Sequence, residues 1–414
     1  MKQYSKISKS LIYLLLLFLF QGLLQTRSYS QSYPAENLNL TDSGRTIENM
    51  ISLDLSDSQY DALRATTGEK IDIRTGFVVI NGDTIKPEEI TTRGQTTLMF
   101  KRKSLGFKLK SEAGIRHGNK TDSLKKFSLL NLAMDQYYCR NRVAFEMMEK
   151  IGIFNLFYSF CNLSINGKSE GVFMAIERPE DWAFGKENSP LVLRRGYNHQ
   201  IEDTKSGKKS DRDDIKKYLK QYKQIYKDLN KFEGEELYTA LSEYIDMDSY
   251  MKWLAFNFIV RNGDYSDEVF FYIDPEIKKY RIIPWDYDDI FASAPHEGRL
   301  QRNKAIGDKL IFSSEDDLDK KIASDPYLYK VYLTKFKEVL EKLSPALLKQ
   351  VFENTYAELY PFYSNKHIIS NSEFDVYKDA NIDNLKSYMV TIYLQELGLL
   401  KHYLEYLKKE ININ

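Results

Sequence analysis

The chain has 414 residues, of which 43% are hydrophobic, 14% aromatic and 29% charged, a composition that excludes wholesale disorder, a collagen-like repeat and a disulfide-dense miniprotein. Lys and Arg number 59 and so do Asp and Glu, so the formal net charge is zero and a nucleic-acid-coating protein is excluded. Two cysteines and five histidines argue against a multi-ligand zinc site, and at roughly 150 residues per domain the length suits two to three domains or one large bilobal domain.

In chain order, Lys2, Lys6 and Lys9 precede an unbroken apolar run from Leu11 to Phe20, and Ser28 and Ser30 form a small-x-small exit ahead of Gln31. This pattern predicts a secretory signal peptide over residues 1–30. Its apolar stretch falls short of the roughly 20 residues that span a bilayer; the alternative is an uncleaved N-terminal anchor. No Cys follows the run, which argues against a lipoprotein anchor. Export implies a periplasmic, cell-surface or secreted protein with no stable membrane span after cleavage. Residues 1–30 carry four basic residues and no acid, so cleavage leaves 55 basic against 59 acidic residues. In an oxidising space Cys139 and Cys161 could pair or stay as two buried free thiols.

Residues 31–45 are polar and predict a linker. Ile51–Leu55 alternates as a half-buried strand does, and Ser56–Ala62 reads as a short helix or turn. Ile71–Ile73, Phe77–Ile80 and Phe107–Leu109 read as strands, with Asn81-Gly82 a hairpin turn tolerant of positive φ. Arg142–Ile151 has helical spacing and stops at Gly152. Phe160–Ile165 and Val172–Ile176 flank a second Asn-Gly turn at Asn166-Gly167. Residues 201–236 are charge-rich, with an exposed helix over Ile215–Leu229. Met247–Val260 predicts a buried helix, and Val269–Ile273 with Tyr280–Ile283 a third hairpin. After about residue 325 the chain reads as helical to Lys409. Strands and helices in this order give an α+β class, not a regular βαβ alternation.

P-loop, dinucleotide-binding, nucleophile-elbow and zincin motifs are absent from the sequence. Acids gather instead at both feet of the third hairpin: Asn262-Gly263-Asp264-Tyr265-Ser266-Asp267-Glu268 before it, and Pro284-Trp285-Asp286-Tyr287-Asp288-Asp289 after it. A hairpin returns its ends to one edge, which predicts that Asp264 and Asp286 lie close together. Phosphoryl transfer needs such a pair. One carboxylate orients or deprotonates the attacking hydroxyl, and another holds Mg²⁺ against the nucleotide phosphates. Oxygens on alternate residues, as in Asp286-x-Asp288, also suit a hard cation. A Ca²⁺ site is the rival metal reading, though the spacing does not match an EF-hand loop.

The ordered segments resemble the CotH kinase family, an atypical kinase-like group of spore-coat type. Arg93-Gly94-Gln95-Thr96-Thr97 is similar to its R-G-N/D-S-S element, and Lys101-Arg102-Lys103-Ser104-Leu105-Gly106-Phe107-Lys108-Leu109 to its K-K-S-Y/F-K-I/L strand. Lys125 to Leu132, then Asp135 and Arg140 to Glu146, resemble its K-K-L-x-L-N segment and helix. Leu163 to Glu177 is similar to its N-G hairpin ending in Glu, and Asn262-Gly263-Asp264 with Pro284-Trp285-Asp286-Tyr287-Asp288 to its N-x-D and P-W/Y-D-x-D boxes. The resemblance covers about residues 46–300.

It implies a bilobal atypical protein-kinase-like fold: a β-rich N-lobe with one helix over 46–190, and a C-lobe over 191–414 holding the hairpin (about 257–290) and a helical tail (about 325–410). It implies ATP as substrate and Mg²⁺ or Mn²⁺ as cofactor. By position Asp264 becomes the catalytic acid, with Asp286 and Asp288 as metal ligands. Lys108 and Arg93 become phosphate-facing residues and Glu177 a partner for Lys108. Arg93 buttressing a turn and Lys108 facing solvent are the bland alternatives. The family's second-metal Asn is replaced here by Val269, which cannot ligate. The resemblance therefore implies an exported kinase for Ser or Thr of an unidentified protein. The alternative is a weak or inactive member acting as an adhesin, coat or assembly protein. A Ca²⁺-stabilised carbohydrate-binding protein is the third reading.

Overall fold

The computed structural model describes residues 38–207, 210–266 and 269–411. The signal peptide expected over residues 1–30, residues 31–37 of the expected linker, and Asp267 and Glu268 lie outside these. From Leu38 to Asn49 the chain has no regular structure and is tied to a distant helix, with Asn39 N donating to Glu353 Oε1 at 2.6 Å.

Among the described residues twelve strands form two sheets. The larger contains β1 (Met50–Leu53), β2 (Val78–Ile80), β3 (Asp83–Ile85), β4 (Pro87–Arg93), β5 (Ser104–His117), β6 (Lys120–Leu130), β7 (Tyr158–Ile165) and β8 (Lys168–Ile176), in the order β3-β2-β1-β7-β8-β6-β5-β4. Only β1 with β7 is parallel; the other neighbours are antiparallel. Both Asn-Gly turns form as expected. Asn81 and Gly82 (φ 53° and 96°) join β2 to β3, and Asn166 and Gly167 (φ 52° and 75°) join β7 to β8. The smaller sheet contains β9 (Leu191–Arg195), β10 (Ile201–Ser206), β11 (Val269–Ile273) and β12 (Tyr280–Ile283), in the order β10-β9-β11-β12.

Strand β8 shows why the sheet is buried on both sides. Val172, Met174 and Ile176 enter one core, with helices and the smaller sheet. Phe173 and Ala175 enter the other, with Ile51, Leu105, Phe107 and Phe127. Such a strand reads as a continuous apolar run rather than an alternation. Cys161 sits in this second core and Cys139 in the first; both are free thiols.

Helix Arg140–Ile151 is buried along nearly its whole length and ends at Gly152, whose positive φ of 75° lets its N–H reach Met148 and Glu149 carbonyls. It packs on helix Pro345–Tyr363, which in turn packs on helix Ile382–Ile411. Helix Met247–Ile259 packs on Pro326–Lys342. Among the described residues no helix is long and apolar enough to cross a membrane. The fold is α+β and two-lobed.

Two local expectations change. Ile71–Ile73 is not a strand but a single bridge, Asp72 to Thr91, on the outer edge of β4, where only Ile73 N to Ile90 O and Thr92 N to Ile71 O join the two backbones. The expected exposed helix is Arg212–Asp228, and it buries Tyr218, Tyr222, Ile225 and Tyr226, so one of its faces belongs to the core.

Candidate functional site

The third hairpin forms in the register Phe270 opposite Ile283 to Ile273 opposite Tyr280. Its two feet are laced together by backbone hydrogen bonds. Helix Met247–Ile259 is followed by Arg261 at φ 50°, which turns the chain sharply. Asn262 is fully buried; its side chain donates to Asn257 Oδ1 at 3.1 Å and accepts from Asp264 N at 3.2 Å. Gly263 N donates to Asp289 O at 3.0 Å, Phe291 N to Val260 O at 2.7 Å, and His296 N to Gly263 O at 3.2 Å. A Cβ at Gly263 would run into the tip of the Asp289 carboxylate and crowd Ala292 Cβ at 3.2 Å, so a larger residue here requires the Asp289 side chain to move.

Four carboxylates, one guanidinium and one imidazole meet here. Asp264 is 41% exposed, and its Oδ1 lies 2.9 Å from His296 Nδ1. His296 Nε2 lies 3.7 Å from Asp289 Oδ2. Arg140 approaches Asp289 Oδ1 at 3.9 Å and donates to Asp288 O at 2.9 Å. Asp135 accepts from Arg140 N at 2.8 Å and Asn141 N at 2.9 Å, placing an anion at the positive end of that helix. Asn141 then bridges back: its amide donates to Asp135 at 3.0 Å and its oxygen accepts from Tyr287 N at 2.9 Å. Burial pushes the Asp288 carboxyl up to about 7, helped by Asp135, Asp289 and Asp264. Burial also raises Asp135 to about 6 despite its hydrogen bonds. A site that raises several neighbouring carboxyls is one that a cation would relieve.

A buried network holds the Asp264 loop from below. Tyr265 OH donates to Asp319 Oδ2 at 3.4 Å, and Arg195 Nη2 to Ser266 O at 3.3 Å. Arg195 pairs with Asp316 at 3.1 Å, and Tyr250 OH donates to Asp319 at 2.6 Å. Burial, then Asp316, push the Asp319 carboxyl up to about 7 against the pull of Arg195 and the two tyrosines. A carboxyl raised above its unfolded value of about 3.9 binds a proton in the folded state first. Its contribution to stability is therefore present at low pH and fades as pH rises toward 7. Asp319→Asn removes this term, so its thermal midpoint is expected to rise relative to the parent at pH 8 but not at pH 4.5. Equal shifts at both pH values would remove the ionisation argument.

Of the residues expected from sequence, Asp264 and Asp288 meet in this cluster. Asp286 is half-buried at φ 53°, between Trp285 and Tyr287. Arg93 reaches the same loop, its guanidinium 5.6 Å from the Trp285 ring, while it also donates to Ser128 Oγ. Lys108 and Glu177 have other ion-pair partners: Lys108 pairs with Glu88 at 2.5 Å and Glu177 with Lys186 at 2.8 Å. Val269 is buried in the apolar core and pairs with Arg195 across β9. Sequence reasoning missed His296, and gave Asp289, Asp135 and Asn141 no role.

Among the described residues no three His, Cys, Asp or Glu side chains gather as a metal cage. The donor chemistry still fits Mg²⁺ or Mn²⁺, because Mg²⁺ is usually held by one or two carboxylates and completed by substrate phosphates and water.

This α+β, two-lobed architecture with paired acidic loops at one hairpin is of the kinase-like class. The sequence pattern of the CotH kinase protein family matches residues 90–403, and the chain belongs to that family. The match begins later and ends later than the span of motifs suggested. Inner spore coat protein H of Bacillus subtilis (strain 168) is 24% identical over 294 residues, covering 65% of this chain and 73% of that protein. A solved complex of the Shewanella oneidensis toxin–antitoxin proteins HipA and HipB with operator DNA aligns over 83% of this chain and 66% of the matched chain, at 11% identity and a TM-score of 0.33.

Proposed function

We propose that the chain is an exported Mg²⁺-dependent kinase that transfers the γ-phosphoryl group of ATP to Ser or Thr hydroxyls of a coat or surface protein. The observation that carries this is the packing of the Asn262-Gly263-Asp264 turn onto the Asp286–Asp289 loop, joined by Gly263 N to Asp289 O at 3.0 Å. Asp264, partly open to solvent, orients the acceptor hydroxyl and takes its proton as the oxygen bonds to the γ-phosphorus and the β–γ bridging oxygen leaves with ADP. Asp286 and Asp288 would hold a divalent cation, which supplies charge neutralisation at the phosphates. Arg93, whose guanidinium lies 5.6 Å from the Trp285 ring, suits a phosphate oxygen; Lys108 and Glu177 are assigned to nucleotide binding by resemblance alone.

Export rests on the basic, apolar and small-residue pattern of residues 1–30, and a coat role on the name of the Bacillus relative. Val269 supports a second reading, a non-catalytic coat, adhesin or assembly protein, because an apolar core residue stands where the family's second-metal Asn is expected. Radiolabelled ATP with the purified chain tests the first: label on Ser or Thr of the chain or of coat extracts, abolished by EDTA, is expected. Asp286→Ala is expected to lose the thermal shift that Mg-ATP gives the parent. An unchanged shift in that variant would refute the metal role. Absence of any label with intact nucleotide binding would leave the second reading standing.

A further inference from the structure

A cavity of about 980 Å³, with none of the acid cluster's residues in its lining, lies between helix Arg212–Asp228, the Tyr197–His199 turn and helix Asp317–Ser324. Its electrostatics are the reverse of the cluster's. Lys223 and Lys227 enter from the first helix, Lys320 and Lys321 from the other, and Asp317 is the sole carboxylate in the lining. The spacing explains the first pair. Lys223 and Lys227 are four residues apart and so share a face, one step from Tyr222 and Tyr226, which anchor the same turns in the core.

The cavity's shape is set by aromatic packing rather than by the lysines. His199 stacks on Tyr226 with centroids 4.1 Å apart and planes 17° apart. Tyr222 OH donates to His199 O at 3.1 Å. Asn198 and His199 are both held at positive φ, 52° and 53°, a conformation that costs energy for residues with side chains and persists where the surroundings enforce it.

The lysines are largely unspent. Asp317 is taken up by Lys320 at 2.6 Å and approaches His199 Nδ1 at 3.6 Å. Lys321 approaches Glu233 at 4.0 Å and also acts on Asp325. Lys223 and Lys227 make no ion pair or hydrogen bond among the described residues, whereas Lys216 on the same helix pairs with Asp213 at 2.9 Å. Lysines on one amphipathic helix are ordinarily a solvated face. Here two helices from different parts of the chain aim lysines into one cavity, in a protein of zero formal net charge. Lysine is a compact charge on a flexible stem, suited to several phosphates at once rather than to one planar carboxylate.

We propose that this cavity is a second, anion-binding site that takes a ligand carrying a chain of two or more phosphoryl groups. Its charge excludes the metal chemistry of the acid cluster, and it is independent of whether that cluster transfers phosphate. The ligand chemistry has two sources, inorganic polyphosphate or a nucleotide, and both are titrated.

The test is calorimetric titration of the chain with sodium tripolyphosphate, and separately with ATP, in EDTA so that no divalent cation bridges the acids. One saturable tripolyphosphate site is expected, weakened at least tenfold in Lys223→Glu/Lys227→Glu. A control of equal charge change on the large sheet, Lys86→Glu/Lys110→Glu, both exposed, is expected to bind as the parent does. ATP binding like tripolyphosphate means that the phosphoryl chain alone is recognised; tighter ATP binding that is also lost in the double variant adds the nucleoside. Absence of tripolyphosphate binding, or equal weakening in both double variants, overturns the proposal. Circular dichroism of each variant guards against unfolding, and Lys227→Gln alone gives a milder variant expected to weaken binding severalfold.

Discussion

Asp264→Ala is expected to keep nucleotide binding and to lower phosphotransfer by about 10²–10⁴-fold, the usual contribution of a positioned acid or base. The loop that carries Asp264 does not depend on its carboxylate for shape. Asn262 caps the turn from within the core, Gly263 is fixed on Asp289, and Tyr265 and Ser266 are held from below. The side chain itself is 41% exposed, with His296 at 2.9 Å. Its removal therefore deletes a chemical group and leaves the fold. Single-turnover transfer from radiolabelled ATP measures the first effect, and the Mg-ATP thermal shift measures the second. Full residual transfer would remove Asp264 from the reaction. Loss of the nucleotide shift together with transfer would make it a ligand-binding residue instead.

Much of this arrangement was legible in the sequence, for identifiable reasons. The third hairpin is bounded as expected, at Val269–Ile273 and Tyr280–Ile283, because its strands are short, apolar and flanked by turn residues. The Asn-Gly hairpins were legible because those residues tolerate the positive φ they adopt. The β5–β6 hairpin was mostly hidden. Its register shifts between Lys108 and Ala113, and a bulge breaks the alternation on which strand reading depends. Residues Lys110 to Arg116 and Lys120 to Lys126 are also rich in charge, as half-exposed strands can be. β9 and β10 were hidden for the same lack of clean alternation.

The site was legible where two acids bracket one hairpin and obscure where partners come from afar. Asp135 is 153 positions before Asp288, and nothing local links them; the link is the start of helix Arg140–Ile151, where Arg140 N donates to Asp135 and its guanidinium to Asp288 O, and Asn141 joins Asp135 to Tyr287 N. His296 lies in a segment without periodicity, so no sequence signal placed it on Asp264. Lys108 illustrates a limit of register. It alternates with Phe107 and Leu109, which are buried, so its side chain takes the opposite face and meets Glu88 on the neighbouring edge strand.

The largest stability effect is expected at Arg142, whose side chain is 2% exposed. Arg142 Nε and Nη2 donate to the two oxygens of Glu358 at 2.8 and 2.7 Å, and Nη1 to Glu146 at 2.7 Å. Its guanidinium also lies 5.2 Å from the Tyr158 ring. The forked pair joins helix Arg140–Ile151 to helix Pro345–Tyr363, so it couples the helix that carries Asn141 to the C-terminal helices. Burial pushes the Glu358 carboxyl up, but Arg142 more than offsets it and holds the group below the ordinary glutamate range. Removing the cation leaves buried Glu146 with Asn354 alone and part-buried Glu358 with the looser Arg45 at 3.5 Å, a loss of roughly 3 kcal/mol, the low end for a buried pair. Arg142→Ala is thus expected to lower the denaturant midpoint sharply at pH 7.5. Arg142→Lys is expected to recover little, because a single ammonium cannot reproduce the fork. The sign with pH follows from Glu358: its depressed value means stability present above its unfolded value of about 4.3 and lost as acid protonates it. The deficit of Arg142→Ala should therefore be largest near neutrality and shrink below about pH 4, where the parent loses the same interaction. A deficit under about 1 kcal/mol at pH 7.5, the range of exposed ion pairs, would show that this bridge does not hold the two helices together.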